Sequence, residues 1–171
     1  MVERHRKLID AHGLRPRLDV LRDQPCVRVT GPQLDALSLR QVCAWGGRFH
    51  ALGEAQCLYC SLEEQTAKRE WERHARVPCM GAEVRVTCLM FLGRVLNLFD
   101  AGGLRALRIS EKDLTSDDVT LCREVARLAV ALGVDGMLVP SAARRGSANL
   151  VIPYGAVRRA VKEIKWSLKH L

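Results

Sequence analysis

Short runs in which apolar residues alternate with polar ones interleave along this chain with runs in which they recur every three or four positions, so strands and helices are predicted to intermix. Residues 1–25 are polar and basic, broken by Gly13, Pro16 and Pro25, and read as one or two short helices. Residues 26–30, Cys-Val-Arg-Val-Thr, read as a strand stopped by Gly31-Pro32, and a loop-like stretch runs to Gly46-Gly47. Residues 55–61 form the next strand candidate. Ser61-Leu-Glu-Glu64 has the form of a capping box, which predicts a helix from there to about residue 75, closed by Pro78 and Gly81. Residues 83–91 place Val84, Val86, Cys88 and Met90 on one face, and residues 94–99 read as a second strand paired to them as a hairpin.

Ser116 before Asp117-Asp118 suits an N-cap, and the helix after it carries the stripe Val119, Cys122, Val125, Ala129, Leu132, with Gly133 placed to end it. Residues 136–139 and 149–152 are short apolar strands around a basic loop, 141–147. From Gly155 a basic tail spaces Val157, Val161, Ile164 and Leu168 as a helix would. Strands separated by helices and by a hairpin favour an α+β domain with a mixed sheet over a doubly wound one. The 171 residues leave room for one compact domain: an N-terminal extension over 1–25, a body over 26–153, and a basic C-terminal helix over 154–171.

Composition narrows the function classes. No apolar run nears the roughly 20 residues that span a bilayer, and the start Met-Val-Glu-Arg-His-Arg-Lys lacks a signal-peptide core, so a cytoplasmic protein with no membrane partner is expected. Lysine and arginine number 27 against 19 acidic residues, a formal charge of +8, which points to an anionic partner without naming it. The basic residues are dispersed, so weak, non-specific binding is the most that nucleic acid is expected to show. Seven cysteines form an odd set, and a disulfide framework is not expected. Cys57-Leu-Tyr-Cys60 has zinc-like spacing, but a strand sends residues i and i+3 to opposite faces, and no metal site is expected. Neither a Walker loop nor a Gly-x-Gly-x-x-Gly fingerprint is present.

Four residues stand out chemically. Arg48 follows Gly46-Gly47, where a tight backbone turn frees a guanidinium to fork onto phosphate, or simply precedes a surface arginine. Glu70 shares a helix stripe with Ala67, Trp71 and His74, so its carboxylate should face the body, as a buried partner for a base or as a catalytic group. Glu63 lies at the edge of the same stripe. Tyr59 sits on the strand before that helix, and Ser141 follows Pro140 at a strand end, where packing or turn roles would equally account for them.

Together, Gly46-Gly-Arg-Phe-His50, Gly53, Leu58-Tyr-Cys-Ser61, Ala67 and Glu70 resemble the first half of the RES domain, and Gly133-Val-Asp-Gly-Met-Leu-Val-Pro-Ser141 with Asn149-Leu-Val-Ile152 resembles its closing segment. Arg28, in Val27-Arg-Val29, resembles its opening strand, and Phe49-His50 stands where the family more often has tryptophan and asparagine. The resemblance implies an ADP-ribosyltransferase-like fold and a toxin of a toxin–antitoxin pair that degrades NAD⁺ at the nicotinamide glycosidic bond. It implies NAD⁺ as substrate rather than cofactor, with water or inorganic phosphate as acceptor and a cognate antitoxin or immunity protein as partner. By the same resemblance Glu70 stabilises the ribosyl cation, Arg48 holds the pyrophosphate, Tyr59 packs on the nicotinamide end and Ser141 supplies a polar contact, with Arg28 and Asn149 as further candidates for binding NAD⁺. The rival is a basic binding module with a vestigial pocket.

Overall fold

The computed structural model describes residues 18–30, 46–54, 56–74 and 83–169. Cys43 and Cys79, most of the residues read as an N-terminal extension and residues 31–45, read from sequence as loop-like, lie outside them. Six strands, β1 (Leu18–Thr30), β2 (Cys57–Ser61), β3 (Glu83–Asn97), β4 (Gly136–Pro140), β5 (Ala148–Pro153) and β6 (Val161–Lys169), alternate with five helices among the described residues. The helices are α1 (Glu64–His74), α2 (Ala101–Leu107), α3 (Glu111–Thr115), α4 (Thr120–Ala131) and α5 (Tyr154–Ala160).

The strands lie in the order β1-β2-β5-β4-β3-β6, antiparallel except for β3 with β4, and β1 also pairs along β3. That extra pairing closes five strands into a circuit, with β6 added on the edge of β3. Alternation then gives each strand an inner and an outer face. Cys26, Leu58, Cys60, Val86, Cys88, Leu138, Leu150 and Ile152 meet inside the circuit, covered by Ala156, Val157 and Ala160 of α5. Cys57, Leu96, Met137, Val139 and Val151 face outward, onto Leu107, Leu114, Cys122, Val125 and Leu128 of α2, α3 and α4. The expected α+β class with a mixed sheet and flanking helices in one domain is therefore what the chain adopts.

Several elements depart from the sequence expectations. The tail is helical only to Ala160; residues 161–169 are a strand paired with 83–90 of β3, because an open β3 edge offers backbone hydrogen bonds that outweigh weak helical periodicity. The hairpin expected over 83–99 is one long strand, since β1 pairs along most of it with no turn between. β1 itself begins at Leu18, inside the stretch read as a helical extension. Ser61 is the last residue of β2 rather than a helix cap, and its hydroxyl is spent on Asn149. Ser116 does not cap α4; the capping box belongs to Ser110 and Asp113, at the start of α3.

Gly133 ends α4 as the sequence predicts. It adopts φ +64°, its N–H donates to Val130 O at 3.0 Å, and Val134 N–H donates to Ala129 O at 3.2 Å, a Schellman closure that needs a left-handed residue. The turn delivers the chain directly into β4. Cys57 and Cys60 lie on the outer and inner faces respectively, the separation expected of a strand, and this removes them as a chelating pair. Among the described residues no helix is long and apolar enough to cross a membrane.

Candidate active site

The site grows from the outer face of β2 and β5. Antiparallel register sets Tyr59 opposite Val151 and Ser61 opposite Asn149, while Asn149 also faces Val139 across β4. Strand alternation thus places Tyr59, Ser61, Asn149, Val139 and Val151 side by side. β4 then ends at Pro140, and the loop after it folds back on itself through Ser141 N–H donating to Ser147 O at 2.8 Å.

Ser141 is buried, and its hydroxyl oxygen accepts from the backbone N–H groups of Ala143 and Arg144, each at 3.1 Å. Its own proton is thereby aimed at Glu70, where Oγ donates to Oε1 at 2.6 Å. Asn149 Nδ2 donates to the same Glu70 oxygen at 2.6 Å, and Ser61 Oγ orients that amide by donating to Asn149 Oδ1 at 2.7 Å. Two donors converging from β5 and from the loop after β4 fix the plane of a carboxylate carried by α1. The helix is anchored by buried Thr66 and Ala67, and Arg73 ties it to the loop by donating from Nη1 to Ala142 O at 2.5 Å. Glu63, the competitor on that stripe, pairs instead with Arg144 at the rim.

Across the cleft, residues 47–50 form a tight turn closed by Gly47 N–H donating to His50 O at 2.8 Å. Arg48 leaves this turn with Nη1 donating to Ser116 O at 2.5 Å and Leu114 O at 3.3 Å, which seats its guanidinium on the segment between α3 and α4. Tyr59 Oη accepts from Phe49 N–H at 3.0 Å and stands 2.9 Å from His50 Nδ1. A Cβ on Gly47 would lie 2.5 Å from His50 Cε1 and 2.6 Å from Tyr59 Oη, so only glycine fits there. Burial pushes the pKa of Tyr59 up, and the phenol keeps its proton across the neutral range.

Arg48, Tyr59, Glu70 and Asn149 therefore line one cleft, floored by Val139 and Val151. Ser141 stands behind Glu70 and acts on it rather than on the open space. Arg28 is on the other side of the sheet: it pairs with Val86, whose side chain is in the inner cluster, and its charge helps lower the pKa of Cys88, after the hydrogen bond from Cys26. The sequence reading left out His50 and Ser61 as parts of the site. Ser61 carried a usable signal, a hydroxyl on the same strand face as Tyr59, whereas nothing local to His50 distinguishes it.

Comparison with known proteins gives a consistent picture. The RES domain family model matches residues 25–169. The chain is 28% identical over 151 residues to the NAD(+) phosphorylase MbcT of Mycobacterium tuberculosis strain H37Rv, covering 82% of this chain and 80% of that one. It is 34% identical over 109 residues to a second protein of that strain, named probable NAD(+) phosphorylase Rv3189, covering 62% and 52%. Among solved structures, the crystal structure of the M. tuberculosis MbcT–MbcA toxin–antitoxin complex contains a chain that superposes with a TM-score of 0.72 at 24% identity, over 95% of this chain and 91% of that one.

Proposed function

This chain belongs to the RES domain family, and from that premise we propose that it is an NAD⁺-degrading enzyme, a phosphorylase that cleaves the nicotinamide N-glycosidic bond and acts as a toxin. The observation that carries the proposal is the Glu70 carboxylate, held in the cleft wall by Ser141 and Asn149 in the same cleft as Arg48 and Tyr59.

As the C1′–N bond breaks, its electron pair moves to the pyridinium nitrogen and positive charge builds on the ribose. A fixed carboxylate beside the ribose stabilises that charge without having to reorganise, which is the efficient form of electrostatic catalysis. Inorganic phosphate, the acceptor that the relatives' names indicate, then bonds to C1′ through one oxygen, giving ADP-ribose 1-phosphate and free nicotinamide. Arg48, seated on the cleft wall by its Nη1 bonds to the Leu114 and Ser116 carbonyls, holds the pyrophosphate. Tyr59 supplies an aromatic wall for the nicotinamide end. Ser61, Asn149 and Ser141 act through the carboxylate they orient. NAD⁺ is substrate throughout, and no resident cofactor enters the scheme.

The finer reading of the fold as ADP-ribosyltransferase-like belongs to the same proposal, supported by a carboxylate set beside a cleft on a mixed sheet. A cognate antitoxin is also proposed, supported by the complex in which the structural neighbour was solved, since an enzyme that drains NAD⁺ must be neutralised in its own cell. The test is to incubate purified protein with NAD⁺, with and without inorganic phosphate, and identify products by mass spectrometry. Nicotinamide and a phosphorylated ADP-ribose, formed only with phosphate, support the proposal. Intact NAD⁺ in both arms replaces it with the binding-module reading.

A further inference from the structure

Tyr59 enters the proposed reaction through its ring, which leaves its hydroxyl without an assigned task. That hydroxyl is nonetheless held from two sides. Phe49 N–H donates to it at 3.0 Å, His50 Nδ1 stands 2.9 Å away, and Gly47 leaves room for no side chain beside the pair. His50 is 2% exposed, with its ring centroid 5.8 Å from that of Tyr59 and tilted 43°. The Phe49 amide takes one acceptor site of the phenol oxygen, and which of Oη and Nδ1 donates in the second contact follows the imidazole tautomer.

We infer that His50 is a positioning residue: its Nδ1 clamps the Tyr59 hydroxyl and so ties the turn that carries Arg48 to the strand that carries Tyr59. The inference rests on the proposed NAD⁺ chemistry for its consequence but not for its geometry. Residues 47–50 reach β2 through Tyr59 Oη and Cys57 Sγ, and the latter contact, donating to Phe49 O, is long at 3.9 Å. The hydroxyl is therefore a direct hydrogen-bonded link between the turn and the strand whose residues must address opposite ends of one dinucleotide. Losing it lets the guanidinium and the phenol ring move independently, which weakens ground-state binding of the substrate.

The test is a double-mutant cycle on the full chain with His50→Ala, Tyr59→Phe and both together, plus His50→Asn, whose Oδ1 lies the same number of bonds from the backbone as Nδ1. Each single variant should raise KM for NAD⁺ about tenfold with kcat much less changed, the double variant should be within about twofold of the worse single, and His50→Asn should recover to within about threefold of wild type. Multiplicative losses in the double variant, or His50→Asn as impaired as His50→Ala, would overturn the clamp. Urea unfolding of the same four variants reads the coupling without any substrate: non-additive shifts support it and additive shifts overturn it. A wild-type protein that consumes no NAD⁺ removes the functional reading, and the unfolding cycle then decides the clamp alone.

Discussion

The inner and outer faces of β2 and β5 are built from the same two strands, yet they end up with opposite properties. Inside, Leu58, Cys60, Leu150 and Ile152 join an apolar cluster drawn from all five strands of the circuit. Hydrogen bonds with Cys60 and Cys88, together with burial, push the pKa of Cys26 up, so its sulfur behaves as a packing atom. Outside, Ser61 and Asn149 occupy the equivalent alternate positions, and their hydrogen bonds run outward to a carboxylate on α1. The inner face is given to packing, and the outer face combines packing, through Cys57 and Val151, with the display of a charge. A strand period of two lets one short segment do both, and substitutions on the two faces should separate those roles.

The largest effect is expected inside. Leu150→Ala, at a fully buried position, should cost about 2–5 kcal/mol of stability, measured as a lowered urea midpoint, while the NAD⁺ affinity of the folded fraction stays close to wild type. A loss of affinity at full stability would mean that the faces are not separable. Gly47→Ala tests the outer face by crowding. The new methyl must displace His50 or Tyr59, so about 1–3 kcal/mol should be lost, shared between stability and NAD⁺ binding. Asn149→Ala removes one donor from Glu70 and should lower kcat about tenfold with little change in unfolding midpoint, read by steady-state kinetics beside a melt. Ser61→Ala acts one bond further away and should cost about threefold. An effect of Ser61→Ala larger than that of Asn149→Ala would break the proposed order of the network.

The contrast also explains what could be read from sequence. The outer-face candidates Tyr59 and Asn149 lie on segments that the sequence marks as short strands, and Glu70 falls on the predicted inward stripe of its helix. Local pattern sufficed for those placements. It failed where partners are remote: Glu70 receives its donors from residues 71 and 79 positions later in the chain, and only the fold brings them together. Arg28 went to the inner face because its pairing with Val86 sets its side, a register that no local signal encodes. Residues 161–169 show the same limit, since Val157, Val161, Ile164 and Leu168 fit a helix and the vacant edge of β3 made most of them a strand. His50 was missed because its meaning depends on a hydroxyl nine residues away on another element.

The account stands most directly on Glu70. Glutamine at this position keeps the shape and an oxygen for Ser141 and Asn149 to hold, while removing the negative charge that the ribosyl cation requires. Measured side by side, NAD⁺ turnover of Glu70→Gln should fall by about 10²- to 10³-fold, and its NAD⁺ Kd by calorimetry should stay within about threefold of wild type, because the lost interaction is made mainly in the transition state. Turnover at the wild-type rate in a folded Glu70→Gln protein would contradict the account.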